Sequence, residues 1–250
     1  MDYVKSLIDK FQNKTARVAV LGMGYVGLPF ATVFAEAGFT VVGVDPVKEK
    51  MDMINRGESY IMDVPTEKVA HLLKEGKLRG TTDYSVLAEM DAVAICVPTP
   101  LRQTGDPDLS FIISAAEGLA PYVHPGMVVV LESSTYPGTT RELVLPTLTD
   151  KSKLKIGEEI FVAFSPERVD PGRTDWTTKK TLKVIGGMTA NCTEVYAACY
   201  SQALDIVGPV SSTEVAEMAK LLENNLRMTN IGFVNELAIA CYPNGVHCWV

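Results

Sequence analysis

The 250-residue sequence has few of the features that mark metal sites, disulfide frameworks or membrane spans. Its three histidines lie far apart, so no spacing typical of metal ligands is present and we expect no bound metal. Its five cysteines form no CxxC pair and are odd in number, which argues against a disulfide framework and favours a reducing, cytoplasmic location. No apolar run approaches the roughly 18–20 residues that a membrane span requires.

Positive charge is also scarce. The net charge of −7 offers no broad basic surface, so we expect no nucleic-acid partner, and any bound phosphate must be held by local amides and a few side chains. The first fourteen residues mix both charges without an apolar core, so they do not resemble a signal peptide. Val4, Leu7, Ile8 and Phe11 stand at helical spacing, which predicts a short amphipathic helix packed on the domain, with membrane-surface binding as the alternative.

The most informative stretch is residues 16–45, ARVAVLGMGYVGLPFATVFAEAGFTVVGVD, which reads as strand, glycine turn, helix and strand. Gly22, Gly24 and Gly27 have the GxGxxG spacing of a dinucleotide-binding turn. The first glycine permits the tight turn, the second lets the backbone approach a pyrophosphate, and the third lets the helix pack closely on the sheet. The pyrophosphate would rest on free amides at the helix N-terminus.

Asp45 ends the second strand, 21 residues after Gly24. A carboxylate at this place can bond the adenosine ribose hydroxyls and would repel a 2′-phosphate, so it favours NAD over NADP, although Lys48 and Lys50 nearby weaken the argument slightly. We expect Tyr25, Val26 and Lys50 to join the glycines and Asp45 in contacting the cofactor. The alternative, a glycine turn that binds nothing, leaves Asp45 unexplained.

Further apolar strands alternate with helices up to about residue 207, which predicts a Rossmann-like, doubly wound, mostly parallel α/β sheet. Several of these strands end in polar turns. Thr99 lies in a Pro-Thr-Pro turn after one strand, Thr135 lies in a hydroxyl-rich turn after the next, and Glu167 with Arg168 follows a third. Because ligands bind beyond the carboxyl ends of parallel strands, this pattern indicates the rim of an active site.

A long helix is predicted to begin at Ser211, with Glu214 as the third residue of a capping box. One side of this helix carries an apolar stripe: Val215, Ala219, Leu222, Leu226, Phe233 and Leu237. The other side carries Glu217, Lys220, Asn224 and Arg227, of which Glu217 and Arg227 are expected on a solvated face. Lys220 and Asn224 lie one turn apart and supply a cation and a neutral donor for a developing oxyanion.

These motifs resemble the UDP-glucose/GDP-mannose dehydrogenase family, particularly its UDP-N-acetylhexosamine 6-dehydrogenase branch. The matching segments occur in family order from the first strand nearly to the end: LGMGYVGLPFA (21–31), CVPTPL (96–101), PDLSFI (107–112), LESSTYPGTTRE (131–142), FSPERVDPG (164–172) and VNELA (234–238). The resemblance implies a two-fold, NAD-dependent oxidation of a nucleotide-sugar 6-hydroxyl to a carboxylate for polysaccharide synthesis. It implies a UDP-sugar such as UDP-N-acetylglucosamine as substrate.

The resemblance also implies roles for matching residues. Thr135 would help to order a water and contact the cofactor, and Glu167 would be the base that hydrolyses a thioester. Apart from the resemblance, the Pro-Thr-Pro turn can present the Thr99 hydroxyl to a bound cofactor, with the alternative that its prolines only end the strand. Lys220 and Asn224 would stabilise oxyanions. The two arginines, Arg168 and Arg227, are expected sugar-nucleotide contacts.

The family pattern continues with a cysteine nucleophile in a Gly-Gly-His-Cys-like motif and a second α/β domain that holds the nucleotide. This sequence stops at Val250, so it is expected to be truncated: an NAD-binding domain over residues 1–208 and the beginning of a central helical dimerisation domain over 209–250. The His247-Cys248 pair lacks the glycines of the motif, and Cys248 is interpreted as a coincidence. A homodimer through the long helix is expected if the missing part is present.

Three hypotheses remain open: a nucleotide-sugar dehydrogenase, a catalytically silent NAD-binding or interaction module, and a one-step β-hydroxyacid dehydrogenase that uses Lys220 and Asn224 without a cysteine. We expect the isolated chain to bind NADH with modest affinity and not to turn over UDP-N-acetylglucosamine.

Overall fold

A computed structural model describes residues 2–168 and 179–247 and shows an eight-stranded sheet with helices on both faces. The strands are β1 (Arg17–Leu21), β2 (Thr40–Val44), β3 (Leu78–Thr81), β4 (Ala92–Ile95), β5 (Met127–Leu131), β6 (Ile160–Phe164), β7 (Lys183–Gly187) and β8 (Val207–Val210). Their order across the sheet is β3-β2-β1-β4-β5-β6-β7-β8. Neighbouring strands are parallel except β6 and β7, which are antiparallel. The predicted Rossmann-like, mostly parallel sheet is confirmed.

Helices connect the strands and cover the two faces of the sheet. They are α1 (Tyr3–Gln12), α2 (Gly27–Glu36), α3 (Lys48–Asn55), α4 (Thr66–Lys74), α5 (Ser110–Leu119), α6 (Leu145–Ser152), α7 (Ala190–Tyr200) and α8 (Thr213–Cys241). A π-helical turn, Thr140–Val144, leads directly into α6, and short 3₁₀ turns cover Tyr84–Glu89, Ala120–Tyr122 and Tyr242–Asn244. None of the described helices is both long and apolar enough to span a bilayer.

The core lies in two layers, one on each face of the sheet. Alternate residues of β1 divide between them: Val18 and Val20 face one layer, Ala19 and Leu21 the other. Helices α1, α2, α3, α4 and α7 contribute to the first layer, and α5, α6 and the start of α8 to the second. Because both faces are covered, the strands are apolar throughout rather than alternating, as is usual for parallel sheets.

The N-terminal helix α1 packs on the domain, as its spacing predicted. Leu7 and Phe11 are buried in the first core layer, and Asp2 caps the helix by accepting a hydrogen bond from the Lys5 amide at 3.2 Å. On the outer side Lys10 Nζ donates to Asp91 Oδ1 at 2.6 Å. The contact joins α1 to the amino end of β4, opposite the edge of the sheet where ligands are expected.

One local boundary differs from the prediction. The N-cap of α8 is Ser212, whose hydroxyl accepts from the Val215 amide at 3.3 Å, so the prediction of Ser211 was wrong by one residue. Two adjacent serines have the same capping chemistry, so the sequence alone does not decide between them.

Candidate functional site

The carboxyl ends of β1, β2, β4, β5 and β6 lie on the same edge of the sheet because these strands are parallel. Each is followed by a residue that the sequence singled out: Gly22, Asp45, Thr99, Thr135 and Glu167. The antiparallel β7 begins at this edge, where it places Lys183. The structure therefore gathers the predicted site residues of five separate turns along one rim.

The glycine turn has the geometry of a dinucleotide cradle. Gly22 has a φ of +88°, a conformation that favours glycine, and a Cβ on Gly27 would lie 1.8 Å from the Gly22 carbonyl oxygen. A Cβ on Gly24 would meet no protein atom within 4 Å among the described residues. Gly24 is therefore not needed for packing, and the space beside it at the start of α2 is where a pyrophosphate fits.

The carboxylate of Asp45 is buried and held in place by backbone amides. Its Oδ2 accepts from the Met23 amide and its Oδ1 from the Val47 amide, both at 2.9 Å, and Lys50 Nζ donates to Oδ2 at 3.2 Å. Since a carboxylate has about four acceptor positions, one remains for a ribose hydroxyl. Tyr60 steadies the same turn through a 2.6 Å bond from its hydroxyl to the Met23 carbonyl. The cradle and this acid fit the adenosine half of NAD.

The other predicted cofactor residues surround this cradle with different exposure. Tyr25 is 67% exposed at the tip of the glycine turn, whereas Val26 packs partly against the core and can offer its backbone. Thr99 is half-buried beyond β4. The Ser133 hydroxyl donates to the Val97 carbonyl at 2.7 Å and so ties the turn after β5 to the turn after β4.

Thr135 is buried in the turn after β5, where its hydroxyl hydrogen-bonds that of Thr139. The Thr139 hydroxyl in turn donates to the Tyr136 carbonyl at 2.8 Å. These two hydrogen bonds fix the side chain of Thr135 within its own turn. The turn then enters the π-helical residues ahead of α6.

Glu217 contradicts the prediction of a solvated face. It is fully buried, and its carboxylate accepts hydrogen bonds from the Gly138 amide at 2.6 Å, the Thr140 amide at 2.9 Å and the Thr140 hydroxyl at 2.7 Å. Burial raises the pKa of Glu217, and these donors act in the opposite direction. A carboxylate at a helix start is favoured by the free amides and the helix dipole, so Glu217 docks α8 on the turn after β5.

An exposed ion pair accompanies this contact. Arg141 Nε donates to Glu214 Oε1 at 2.5 Å, and this hydrogen bond lowers the pKa of Glu214 to about 2. The sequence missed both partnerships because the residues lie more than seventy positions apart.

Glu167 and Lys220 lie together in the structure. Lys220 Nζ donates to the backbone carbonyl of Glu167 at 2.7 Å, and burial lowers the pKa of the Lys220 ammonium. The Glu167 carboxylate faces a different cation, since Lys183 Nζ lies 3.1 Å from its Oε2. A lysine with a lowered pKa suits proton transfer, and its ammonium form suits oxyanion stabilisation.

Lys183 and Glu132, which the sequence analysis did not single out, meet beside Glu167. Lys183 Nζ lies 2.5 Å from Glu132 Oε2, and the Lys183 and Glu132 side chains are 3% and 0% exposed. The hydroxyls of Tyr196 and Tyr200 both donate to Glu132 Oε1. A lysine opening an apolar strand gave no signal, because its partners come from distant elements.

Arg168 and Arg227 line one groove beside α8, with a volume of about 360 Å³. Arg168 is fixed there, because its Nε donates to Glu223 Oε2 at 3.0 Å and its guanidinium also donates to the Leu182 carbonyl at 2.9 Å. The remaining wall is formed by Leu226, Asn230 and Ile231. Asn224 and Arg227 are exposed.

The described cysteines are free thiols. Cys96, Cys192 and Cys199 are buried free thiols and Cys241 is half-buried, whereas Cys248 lies outside the described residues, as does the 169–172 part of the SPERVDPG motif. Within residues 2–168 and 179–247, no three His, Cys, Asp or Glu side chains are grouped so as to hold a metal ion.

Comparisons with known proteins agree with this geometry. Residues 16–204 match the model of the UDP-glucose/GDP-mannose dehydrogenase family, NAD binding domain, and residues 214–250 match the central domain of that family. The UDP-N-acetyl-D-mannosamine dehydrogenase of Salmonella typhi is 37% identical over 239 residues, which cover 93% of this chain and 56% of that protein. The NDP-N-acetyl-D-galactosaminuronic acid dehydrogenase of Ralstonia nicotianae is 38% identical over the same coverage.

A solved structure, the UDP-D-ManNAc dehydrogenase from Pyrococcus horikoshii, superposes with a TM-score of 0.86 at 36% identity, covering 92% of this chain and 55% of that one. The chain thus spans about half the length of the curated relatives that it matches.

Proposed function

Because the chain belongs to the UDP-glucose/GDP-mannose dehydrogenase family, we propose that it serves an NAD-dependent oxidation of a nucleotide-sugar 6-hydroxyl to a carboxylate. The matched domain identifies the cofactor as NAD. The observation that carries the proposal is the position of the Glu167–Lys220 contact on the same sheet edge as the glycine cradle and Asp45. Cofactor and reacting groups would then meet at one rim.

The residues divide between binding and chemistry. NAD, when bound, supplies the hydride acceptor. Lys220 and Asn224 would stabilise the negative charge that develops on the sugar oxygen, and Thr135 would orient a water. Glu167 would take the proton of that water during acyl hydrolysis. The buried Thr135–Thr139 bond and the Lys220–Glu167 contact support these roles, because each holds a reacting group in place.

The substrate is proposed to be a UDP-N-acetylhexosamine for polysaccharide synthesis. UDP-N-acetyl-D-mannosamine is the first compound to test, because the Salmonella typhi relative is named for it, and UDP-N-acetylglucosamine is the second. Arg227, in the groove beside α8, is proposed to contact an anionic part of this substrate, and Arg168 to shape the groove through Glu223.

The test measures NADH binding by fluorescence and NAD reduction with each UDP-sugar. If wild type reduces NAD with either UDP-sugar, Lys220→Met is expected to remove that turnover and leave NADH affinity unchanged. Lys74→Met, at an exposed lysine on α4, should change neither. Turnover that survives Lys220→Met would refute the proposed chemistry. Turnover of a small hydroxy acid that depends on Lys220 would instead support the one-step β-hydroxyacid dehydrogenase.

A second candidate function is NAD binding without turnover by this chain alone. It is favoured by the coverage of the relatives, since the chain contains the cradle and spans 56% of the Salmonella typhi protein. NADH binding with no reduction of NAD in the presence of either UDP-sugar is the result expected from this candidate. Absence of NADH binding would contradict both candidates.

We propose that the NAD-binding domain ends at residue 208 and that the helical domain begins at residue 209. We also propose that two copies of the chain associate through α8. The support is the apolar stripe of α8, since Leu222, Leu226 and Phe233 are 65%, 59% and 63% exposed. An exposed stripe of this length usually marks a protein–protein contact. A cytoplasmic location is proposed as well, supported by the free thiols of the four described cysteines.

A further inference from the structure

A buried cation joins the proposed base to the interior of the sheet. Lys183 contacts two carboxylates, Glu132 at 2.5 Å and Glu167 at 3.1 Å, while its own side chain is 3% exposed. Burial alone would lower the pKa of Lys183, but the two carboxylates outweigh burial and raise it. Lys183 is therefore a permanent cation between a fully buried acid and an acid at the rim.

Glu132 is fixed independently of Glu167. Two tyrosine hydroxyls, from Tyr196 and Tyr200 on α7, occupy its Oε1, and Lys183 occupies its Oε2. Burial raises the pKa of Glu132, and Lys183 acts against this shift. Because both carboxylate oxygens of Glu132 accept hydrogen bonds, its side chain is fixed and holds the Lys183 ammonium in one position.

The position of Lys183 depends on strand direction. Because β7 runs antiparallel to β6, its first residue lies at the rim next to the turn after β6, where Glu167 is located. A parallel strand would place its first residue at the opposite edge. The reversal of one strand thus brings a cation to the carboxylate side of Glu167, while Lys220 of α8 contacts its backbone carbonyl.

We propose that Lys183 is a positioning residue that holds the Glu167 carboxylate at the rim in its ionised form, with Glu132 as its fixed counter-anchor. An ionised carboxylate can accept a proton, so the arrangement prepares Glu167 for the role of base. The consequence for catalysis rests on the proposed function, whereas the effect on Glu167 itself does not.

A cation that served only to neutralise buried Glu132 would need no second carboxylate partner. Lys183 nevertheless also contacts Glu167, whose side chain is 12% exposed at the rim. Other titratable groups face the cluster from the elements packed around it: Cys96 after β4, Tyr196 and Tyr200 on α7, and Lys220 on α8. Of these, Lys220 is the second cation, and it contacts the carbonyl rather than the carboxylate of Glu167.

The experiment follows the titration of Glu167 by carboxyl NMR on the whole chain labelled with ¹³C-glutamate, with Glu167→Gln identifying its resonance. Wild type is compared with Glu132→Gln and with the double variant Lys183→Met/Glu132→Gln. The double variant keeps the net charge of the three-residue cluster, so folding is not opposed by a new uncompensated charge. NADH binding and circular dichroism verify that each variant is folded.

The wild-type midpoint of Glu167 is expected below the ordinary glutamate value of about 4.3. The double variant should raise the midpoint by about one unit or more, because it removes an opposite charge in contact with the carboxylate. Glu132→Gln alone should leave the midpoint at or below the wild-type value, because Lys183 then serves Glu167 alone.

A wild-type midpoint at or above the ordinary value would overturn the proposal, as would a double variant that titrates like wild type. If the double variant does not fold, the wild-type and Glu132→Gln titrations decide the question. The proposed base role fails separately, if Glu167→Gln leaves turnover intact while the titration behaves as expected.

Discussion

Replacing Gly24 with alanine separates cofactor binding from folding. The added Cβ meets no protein atom within 4 Å among the described residues, and Gly24 does not have a positive φ. We therefore expect the thermal midpoint to change by no more than about 2 °C. The same methyl group points into the space where the pyrophosphate is expected, at the start of α2.

The expected loss of affinity follows from the hydrogen bonds at stake. A methyl that moves the pyrophosphate away from the amides of the turn removes one or two charge-assisted bonds, each contributing about 1.5–3 kcal/mol. A loss of about 2–4 kcal/mol corresponds to a roughly 30- to 1000-fold increase in the Kd for NADH. Fluorescence titration and isothermal calorimetry measure this change directly.

Two other glycines provide controls. A Cβ on Gly27 would lie 1.8 Å from the Gly22 carbonyl oxygen, so Gly27→Ala should destabilise the fold by about 1–3 kcal/mol and lower the thermal midpoint by several degrees. Gly232→Ala in α8 also enters open space and should leave NADH affinity unchanged. Wild-type affinity in a folded Gly24→Ala variant would refute the assignment of the cradle, and so would a thermal loss equal to that of Gly27→Ala.

Three further predictions concern α8. Glu217→Ala should lower the free energy of unfolding by about 2–5 kcal/mol in urea denaturation, because it leaves the buried amides of Gly138 and Thr140 without an acceptor. A loss below about 1 kcal/mol would contradict the proposal that Glu217 docks α8 on this turn. Arg141 lowers the pKa of Glu214 to about 2, so the stability from this pair should be complete above about pH 5 and lost as the pH falls toward 2. The difference in the free energy of unfolding between wild type and Glu214→Gln should therefore vanish near pH 2. A difference that persists there would exclude the ion pair as its source. Phe233→Asp should convert a dimer to a monomer in light scattering with NADH affinity retained, and an unchanged mass would argue against association through this stripe.

The sequence predicted the parts of the site that are local along the chain. The cradle follows from residues 16–45 because strand, glycine turn, helix and acid are consecutive, and Gly22 and Gly27 are explained by a positive φ and by a clash within that segment. Lys220 and Glu167 were placed by motif resemblance, and the structure brings them into contact. Their catalytic roles stay predictions.

The parts that were missed depend on pairings between distant elements. Glu132 and Lys183 are 51 residues apart and meet because β7 reverses direction, which no local pattern encodes. The helical wheel of α8 placed Glu217 on the polar side of the helix. It did not predict that the Gly138–Thr140 turn packs over Glu217 and buries it. A wheel describes the helix alone, and the docking partner decides whether a charged face is solvated or buried.

Contacts at three-residue spacing fasten the first turns of α8 to the site. Glu217 binds the turn after β5, Lys220 binds the carbonyl of Glu167, and Glu223 binds Arg168, so the first turns of the helix hold both the turn after β5 and the turn after β6. Asn224 lies one turn beyond Lys220 on the exposed side, where a ligand can reach it. The cradle at the start of α2 shares none of these bonds. Loosening α8 at Glu217 should therefore reduce turnover while NADH affinity is retained, which assigns orientation of the reacting groups to α8 and binding of the cofactor to the glycine turn.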